Sequence, residues 1–349
     1  MKDKRVFNVI PTINDVAKLA NSSKSTVSRV INNQGGVSKD LENKIKDAIE
    51  VLKFKPNKVA RALKARSTKS IGLIIPTVEN PVFAPLVKII ETAADKYGFS
   101  TILCNTDGIV EKEAKYLELL IEKQVDGIIF NAIGEFHKGF EIVKDTNTPI
   151  VVLGKKIEGF ETTNVTVNNF KGAYIAVEHL IKIGMKDIAF LFGKLEANSA
   201  ILDRFEGYKS ALRDNNINFK EELIVRGKNY FEDGESAADE LIQRGVNFDS
   251  VFASNDILAI GCIERLIDNG YSIPRDVSVI GYDDIPASRV IRPKLSTVLN
   301  APDVFGTEAV KTILRIIYSQ KDTYQERVFE PELIVRDSTR QPDEVVKIS

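Results

Sequence analysis

The sequence has few of the residues that mark disulfide scaffolds, metal centres or membrane proteins. Its two cysteines, Cys104 and Cys262, are too few for a disulfide framework and lack metal-ligand spacing, so we expect ordinary thiols in a reducing compartment. No run approaches the roughly 20 apolar residues that a membrane span needs. The short, charged start from Met1 to Pro11 does not resemble a signal peptide. These absences predict a cytoplasmic protein.

Signatures of catalysis are equally sparse. His137 and His179 are the only histidines, and an apolar helical pattern continues around His179, as around a structural histidine. The chain lacks P-loop spacing, a GxGxxG after its first predicted strand, and a zinc-type cluster. Asp283 and Asp284 are paired acids, but adjacent residues rarely converge on one substrate bond. We therefore expect no enzyme, no cofactor and no metal site.

The charge is distributed unevenly. The 349 residues suit two or three domains, and 43% hydrophobic with 28% charged residues is typical of soluble globular proteins. Residues 1–70 hold 16 Lys and Arg against 6 Asp and Glu, whereas the rest of the chain is acidic. A basic head on an acidic body favours a nucleic-acid reader with a separate control domain, because basic side chains displace counterions from phosphates. A solvated basic helix face is the alternative.

The head has the pattern of three short helices. Thr12 and Asp15 have the spacing of a capping box before a helix over about 13–20. After a short turn, Ser23 can cap a second helix over 24–31, and two helices joined in this way form a helix-turn-helix. A third helix follows Ser38, with a buried stripe of Leu41, Ile45, Ala48, Ile49 and Leu52.

The outward positions of the second helix are candidates for DNA contact. Lys24, Ser25, Ser28 and Arg29 lie toward its N-terminal end, where such helices meet base edges. Lys24 and Arg29 can read guanine in the major groove, and Ser25 can bond to either base type or to phosphate. The alternative is that these are simply the exposed residues of a small bundle.

The run TINDVAKLANSSKSTVSRVIN, residues 12–32, resembles the N-terminal signature of the LacI/GalR family of bacterial transcriptional regulators. It departs at Ser22, where the family usually has a valine inside the turn, and we expect the serine to loosen that turn slightly. With this resemblance, the candidate DNA-binding residues of the head are Thr12, Ser23, Lys24, Ser25, Thr26, Ser28, Arg29 and Asn32.

The segment KPNKVARALK, residues 55–64, resembles the hinge region of the same family. So short a helix is marginal alone and forms only when packed against a partner. In the family, two such helices pair in the minor groove and wedge leucines between base pairs, a role that the resemblance assigns to Leu63. An amphipathic linker helix of the body is the alternative. The candidate hinge contacts are Asn57, Ala60, Leu63 and Lys64.

From Ser70 onward, short apolar strands alternate with amphipathic helices, a pattern of parallel sheets covered on both faces. Eight such units could close one barrel, but the similar starts at Lys69 and Lys186 suggest a repeated half-domain and favour two sheets. The predicted strands are 71–75, 101–104, 127–130, 150–153, 188–192, 223–225, 251–253 and 277–280. The predicted helices are 83–97, 112–123, 138–145, 172–184, 203–214, 235–244, 256–269 and 303–319.

Residues 70–340 are similar to the effector domain of the LacI/GalR family, which itself resembles periplasmic sugar-binding proteins. The hallmarks include RFEGY at 204–208, SND at 254–256 and GYDD at 281–284. The fold class implied is α/β: a helix-turn-helix domain and hinge helix, then two doubly wound parallel-sheet subdomains. The chain is expected to cross between them three times, giving a head at 1–54, a hinge at 55–69, an N-subdomain at 70–168 and 299–329, and a C-subdomain at 169–298 and 330–349.

Open parallel sheets bind ligands beyond the carboxyl ends of their strands. Carboxylates, amides, an arginine and an aromatic ring at those ends suit a polyol site. The resemblance implies effector contacts from Arg204, Asn255 and Asp283 and an aromatic lining at Phe83, while Asn229 stands where the family commonly has an aromatic. The alternative is that Asp256 and Asp283 only cap loops and helices. The candidate effector residues are Asn80, Phe83, Asp107, Arg204, Asn229, Asn255 and Asp283.

These features predict a homodimeric repressor of carbohydrate-metabolism genes. Its partners would be double-stranded operator DNA, read as two half-sites, and a small sugar-like effector linked to DNA binding through the subdomain angle. One alternative is a global carbon catabolite regulator that acts with a phosphorylated carrier protein. Another is a cytoplasmic sugar-binding protein without a DNA role.

Overall fold

The chain folds into two units, Met1–Thr68 and Lys69–Ser349. The computed structural model describes residues 11–54, 67–131, 138–144, 146–154, 157, 160, 162–193, 199–227, 230–319 and 326–341. Within these residues, no helix combines the length and the apolar composition needed to cross a bilayer. The predicted hinge contacts Asn57, Ala60, Leu63 and Lys64, and also Asn229 and His137, lie outside the described residues.

The first unit contains three helices: α1 (Ile13–Leu19), α2 (Lys24–Ile31) and α3 (Lys39–Val51). The backbone N–H and the hydroxyl of Thr12 donate to Asp15 Oδ2 at 2.8 and 2.7 Å, which fixes the start of α1. The predicted first helix, 13–20, is one residue too long, because Ala20 is its C-cap. Val16, Val27 and Ile45, one from each helix, are fully buried at the centre.

The turn between α1 and α2 is tight. Asn21 has φ 49°, a left-handed conformation that asparagine tolerates well. The N–H of Ser22 donates to the carbonyl of Ala17 at 2.8 Å, so the serine is held within the turn by its backbone. Ser23 Oγ accepts the N–H of Thr26 at 3.1 Å and caps α2. The helix-turn-helix predicted from the sequence is confirmed.

The second unit contains two six-stranded sheets. The first sheet has β1 (Ser70–Ile75), β2 (Ser100–Asn105), β3 (Gly127–Asn131), β4 (Ile150–Leu153), β5 (Thr163–Val167) and β11 (Glu326–Phe329). The second has β6 (Ile188–Phe192), β7 (Ile224–Arg226), β8 (Ser250–Ala253), β9 (Ser278–Asp283), β10 (Ser296–Leu299) and β12 (Glu332–Ile334).

The two sheets share one strand order. The first runs β11-β5-β4-β3-β1-β2 and is entirely parallel; the second runs β12-β10-β9-β8-β6-β7 and is parallel except for β12. The start of each half is tied in the same way, because Asp126 accepts the N–H of Lys69 and Asp249 accepts the N–H of Lys186, both at 2.7 Å. The repeat is therefore confirmed, and the single barrel considered as an alternative is wrong.

Helices cover both faces of each sheet. On the first sheet, α4 (Phe83–Asp95) and α11 (Pro302–Ser319) pack on one face, with α5 (Val110–Glu122) and α6 (Lys138–Lys144) on the other. On the second sheet, α7 (Asn169–Lys182) pairs with α8 (Ser199–Asp214), and α9 (Phe231–Gln243) pairs with α10 (Asp256–Asp268). Alternate strand residues enter each face: Leu191 and Val251 lie under α9 and α10, Phe190 and Phe252 under α7 and α8.

Four strands were not predicted from the sequence: β5, β10, β11 and β12. The strand predicted at 223–225 begins one residue later, because Glu221–Leu223 forms a 3-10 turn. The chain leaves the first sheet after β5, returns to it after β10, and passes to the second again between β11 and β12. Each passage therefore begins or ends beside the end of a strand.

Candidate DNA-binding face and effector site

The outer face of α2 carries the candidate base contacts. Lys24, Ser25 and Arg29 are exposed and Ser28 is half-buried, and their spacing places them on one side of the helix. On the opposite side, Val27 is fully buried in the core of the head. Among the described residues, neither Lys24 nor Arg29 has an ion-pair partner. Both cations are therefore available to a nucleic acid.

The other predicted DNA contacts support the shape of this face. Ser23 Oγ lies 2.8 Å from Thr26 Oγ1 and 2.7 Å from Ser25 Oγ, so the three hydroxyls meet at the start of α2. At its end, the amide of Asn32 donates to Ser28 Oγ at 3.3 Å. The free N–H groups of this helix start also favour an anion such as a DNA phosphate.

A second group of polar residues lies at the carboxyl ends of the second sheet. Asp283, the last residue of β9, is 8% exposed and has φ 108°. Arg204 of α8 reaches it with Nη2, 3.5 Å from Asp283 Oδ1. The same guanidinium lies 3.5 Å over the ring of Tyr282 and donates through Nε to Asn169 Oδ1 at 2.9 Å. Arg204 is thus fixed by stacking and by hydrogen bonds.

Close helix packing allows Arg204 to reach this position. Gly207 lies one turn further along α8, and a Cβ there would lie 2.3 Å from the carbonyl oxygen of Phe170 in α7. Any larger residue would push the two helices apart. Arg204 Nη1 also donates to the carbonyl of Ser254, just beyond β8, at 2.5 Å. The arginine therefore connects α8 to the ends of two central strands.

The site is rich in hydrogen-bond acceptors. Asn300 Nδ2 donates to Asp283 Oδ1 at 3.4 Å. Within the described part of the chain, Asn300 Oδ1 and Ser254 Oγ are buried without a partner. Burial raises the pKa of Asp283 to about 6, although Arg204 opposes this change. Unpaired buried polar atoms are unfavourable, so this group is chemically prepared for a ligand that donates hydrogen bonds.

Two neighbouring residues stabilise the loops around the site. Asn255 Oδ1 accepts the N–H of Leu258 at 2.9 Å and caps α10. Asp256 is 1% exposed and accepts from the N–H of Ile285, from Ser288 Oγ and from Thr297 Oγ1 at 2.9, 2.6 and 2.5 Å. The loop-anchoring role considered for Asp256 is the one that the structure shows. Burial, reinforced by the charge of Asp283, raises the pKa of Asp256 to about 7.

Asp284 anchors the last passage between the sheets. It is 9% exposed and forms ion pairs with Arg289 at 2.6 Å and with Arg336 at 2.5 Å. Arg336 follows β12, so the carboxylate ties the final segment of the chain to the end of β9. Asp284 is thus paired with two arginines of the loops, whereas Asp283 contacts Arg204 and Asn300.

Three other predicted effector residues, Asn80, Phe83 and Asp107, lie beside the first sheet. Asn80 Oδ1 accepts the N–H of Val82 at 3.1 Å, and Phe83 packs against the core of that sheet. Asp107 is half exposed, receives an ion pair from Lys112 and accepts from Asn105 Nδ2. Among the described residues, no hydrogen bond or ion pair joins these three to Asp283. Val82 does reach across, packing against the core of the second sheet.

The structure thus brings together Arg204 and Asp283, places Asn255 next to Ser254 as the cap of α10, and adds three residues that the sequence analysis missed. Ser254 directly follows a predicted strand and could have been found by the rule that located Asn255. Asn300 follows β10, which was not predicted, and Asn169 opens α7 three residues before the predicted helix start. No group of three or more His, Cys, Asp or Glu side chains that could hold a metal occurs in the described ranges.

Comparison with known proteins identifies both units. A family model described as bacterial regulatory proteins, lacI family, matches residues 12–57. A second, described as periplasmic binding proteins and sugar binding domain of LacI family, matches residues 68–335. The HTH-type transcriptional repressor PurR of Actinobacillus pleuropneumoniae serotype 3 (strain JL03) is 37% identical over 331 residues, covering 94% of this chain and 98% of the relative.

Solved structures agree with these matches. The lac repressor dimer bound to operator and the anti-inducer ONPF has a TM-score of 0.84 at 26% identity, covering 94% of this chain and 99% of that chain. A LacI family transcriptional regulator from Enterococcus faecium with bound ribose has a TM-score of 0.71 at 32% identity, covering 77% and 98%. The head excludes the alternative of a sugar-binding protein without a DNA role. The chain belongs to the LacI family of bacterial regulatory proteins and is a DNA-binding transcriptional repressor.

Proposed function

We propose that this repressor is controlled by a small, uncharged effector whose hydroxyl or N–H groups donate to Asp283, and that the effector is a sugar or sugar derivative. The observation that carries the proposal is the set of buried acceptors formed by Asp283, Asn300 and Ser254. A phosphate or carboxylate group would meet a carboxylate there, whereas a sugar hydroxyl finds acceptors. The ribose-bound relative supports the sugar class.

The DNA-binding unit is proposed to act in a homodimer. One α2 presents only a few base-reading side chains, so a single head reads a short sequence. Two heads related by a two-fold axis would read the two halves of a pseudo-palindromic operator. The similarity to the lac repressor dimer supports this arrangement. Lys24, Ser25, Ser28 and Arg29 would then face the major groove of each half-site.

Control would operate by linkage between the two ligands. The effector residues belong to a unit whose chain passes three times between two sheets, proposed to be subdomains at 70–168 with 299–329 and at 169–298 with 330–349. An effector that binds one relative orientation of the two sheets more tightly shifts the population toward it. Operator affinity then changes by the same factor as effector affinity.

The test is an operator titration with and without candidate effectors. The operator is first selected from random DNA with the full-length chain, and its Kd is measured by fluorescence anisotropy. Pentoses, hexoses, disaccharides, sugar phosphates and free nucleobases are then screened by thermal shift, and each binder is added to the operator titration. A neutral sugar that changes operator affinity supports the proposal. A response to sugar phosphates or nucleobases alone contradicts the proposed sugar class.

A further inference from the structure

We propose that Asn300 is a positioning residue. Effector binding at Asp283 changes the hydrogen bonds of Asn300 and thereby acts on the segment by which the chain returns to the first sheet. The inference rests on the proposed effector function and adds to it the route by which binding is transmitted. Asn300 was not among the residues predicted from the sequence.

Asn300 contacts Asp283 through its amide N–H group, and its side-chain carbonyl oxygen takes no part. Its Nδ2 donates to Asp283 Oδ1 at 3.4 Å, and Arg204 Nη2 approaches the same oxygen at 3.5 Å. Both bonds are long for charge-assisted contacts, so Asp283 is weakly satisfied for a buried carboxylate. A ligand hydroxyl or N–H that donates to this carboxylate competes directly with the Asn300 amide.

The carbonyl oxygen of the Asn300 side chain, Oδ1, is also placed to interact with a ligand. Within the described residues, Asn300 Oδ1 is buried and accepts no hydrogen bond. Ser254 Oγ, at the end of β8 on the other side of β9, is also buried without a hydrogen-bond partner. Ser254 is 1% exposed. A ligand that bonds to Asp283 and also to Asn300 Oδ1 and Ser254 Oγ would satisfy the unpartnered atoms on both sides of the carboxylate.

The position of Asn300 in the chain places it next to a connection between the two sheets. It comes directly after β10 of the second sheet, and Ala301, with φ 39°, turns the chain into α11 of the first sheet. A left-handed alanine is strained, so this turn persists only while the surrounding contacts hold it in place. A change in the hydrogen bonds of Asn300 therefore acts on a tight connection between the two sheets, with α11 attached to its far side.

The experiment compares Asn300→Leu, which keeps the side-chain size but removes both hydrogen-bonding groups, with the control Asn269→Leu. Asn269 is exposed and only caps the end of α10, donating to the carbonyl of Arg265 at 2.9 Å. In full-length protein, the Kd of D-ribose, or of the tightest-binding compound of the effector screen, is measured by calorimetry. The operator Kd is measured with and without a saturating amount of the same compound.

The expected result is a probe affinity reduced about ten-fold or more in Asn300→Leu, because the buried acceptor Asn300 Oδ1, to which the probe would donate, is lost. The ratio of operator Kd with and without saturating probe should fall close to one. The control should leave both quantities unchanged. If Asn300→Leu lowers the melting temperature of the free protein, Asn300→Ser, which keeps a smaller hydroxyl group, is expected to show an intermediate operator ratio.

Two results would overturn the inference, and they can be distinguished. If the probe binds Asn300→Leu more weakly but the operator ratio at saturation stays at the wild-type value, Asn300 serves only as a contact. Unchanged probe affinity also rejects the inference while leaving the proposed function intact. If no sugar or nucleobase binds the wild-type chain at all, the proposed effector function fails and the inference fails with it.

Discussion

Asp256→Asn should gain stability over the wild type as the pH rises, measured as the difference in unfolding free energy between the two proteins. Asp256 is buried beneath the site, and its pKa in the fold is raised from 3.8 to about 7. The folded chain therefore holds this proton more tightly than the unfolded chain does. The wild type gains stability from Asp256 below about pH 4 and loses it as the pH rises through 7.

The size of the effect follows from the two pKa values. With 3.8 in the unfolded chain and about 7 in the fold, proton linkage costs the wild type about 3 kcal/mol between about pH 4.5 and pH 8. Asparagine has no such cost and keeps the shape of the side chain. Its Oδ1 can accept from the N–H of Ile285 and from Ser288 Oγ, and its Nδ2 can donate to Thr297 Oγ1 once that hydroxyl rotates.

The assay is urea unfolding followed by circular dichroism, since the chain has no tryptophan, at several pH values for the wild type, Asp256→Asn and the control Asp268→Asn. Asp268 is exposed at the end of the same helix. The difference in unfolding free energy between Asp256→Asn and the wild type should rise by about 3 kcal/mol across this pH range. Parallel curves would refute the reasoning, because they would mean that the three donors keep Asp256 ionised in the fold.

The remaining predictions concern the DNA and effector contacts. Arg29→Ala should weaken operator binding by about 1–3 kcal/mol and relax base preference, as for loss of a bidentate guanine contact; an equal loss on random DNA would show a phosphate contact instead. Asp283→Ala should abolish the effector response and leave operator affinity intact, and an unchanged effector titration would remove Asp283 from the site. Leu63→Ala, at a position outside the described residues, should reduce operator affinity and bending together with little change in the melting temperature of the free protein; a large drop in melting temperature with normal bending, measured by gel mobility, would instead favour a packed linker helix.

The head could be predicted closely because its signals are local. The apolar positions of α2 recur at helical spacing and Ser23 precedes them, so the predicted bounds, 24–31, equal those of the structure. In the second unit, strands such as β6 could be recognised as uninterrupted apolar runs. β5, with the sequence TNVTV, is fully buried, but its threonines and asparagine conceal it. β11 and β12 are short and partly charged, and they are strands because distant partners pair with them.

The candidate site shows the same division between local and distant signals. Asp283 was selected because it follows a predicted strand, and the structure places it at the end of β9 beside Arg204. Asn300 depends on β10, whose residues STVL look like a short loop segment in isolation. Asp107 has the right position for a strand-end ligand, yet its pairing with Lys112 depends on how the loop before α5 turns. Such a pairing depends on the folded backbone of the loop and leaves no periodic trace in the sequence.

The order of the strands also has a consequence for synthesis of the protein. Each sheet is completed by one of the last strands of the chain, β11 for the first and β12 for the second. The head has its own core and leaves the ribosome first, while residue 334 follows residue 54 by about 15–55 s at typical bacterial rates. For that time the nascent chain carries a DNA-binding head whose effector-binding body cannot yet close. A stop codon shortly before residue 326 would remove a strand from both sheets at once and leave a head without control.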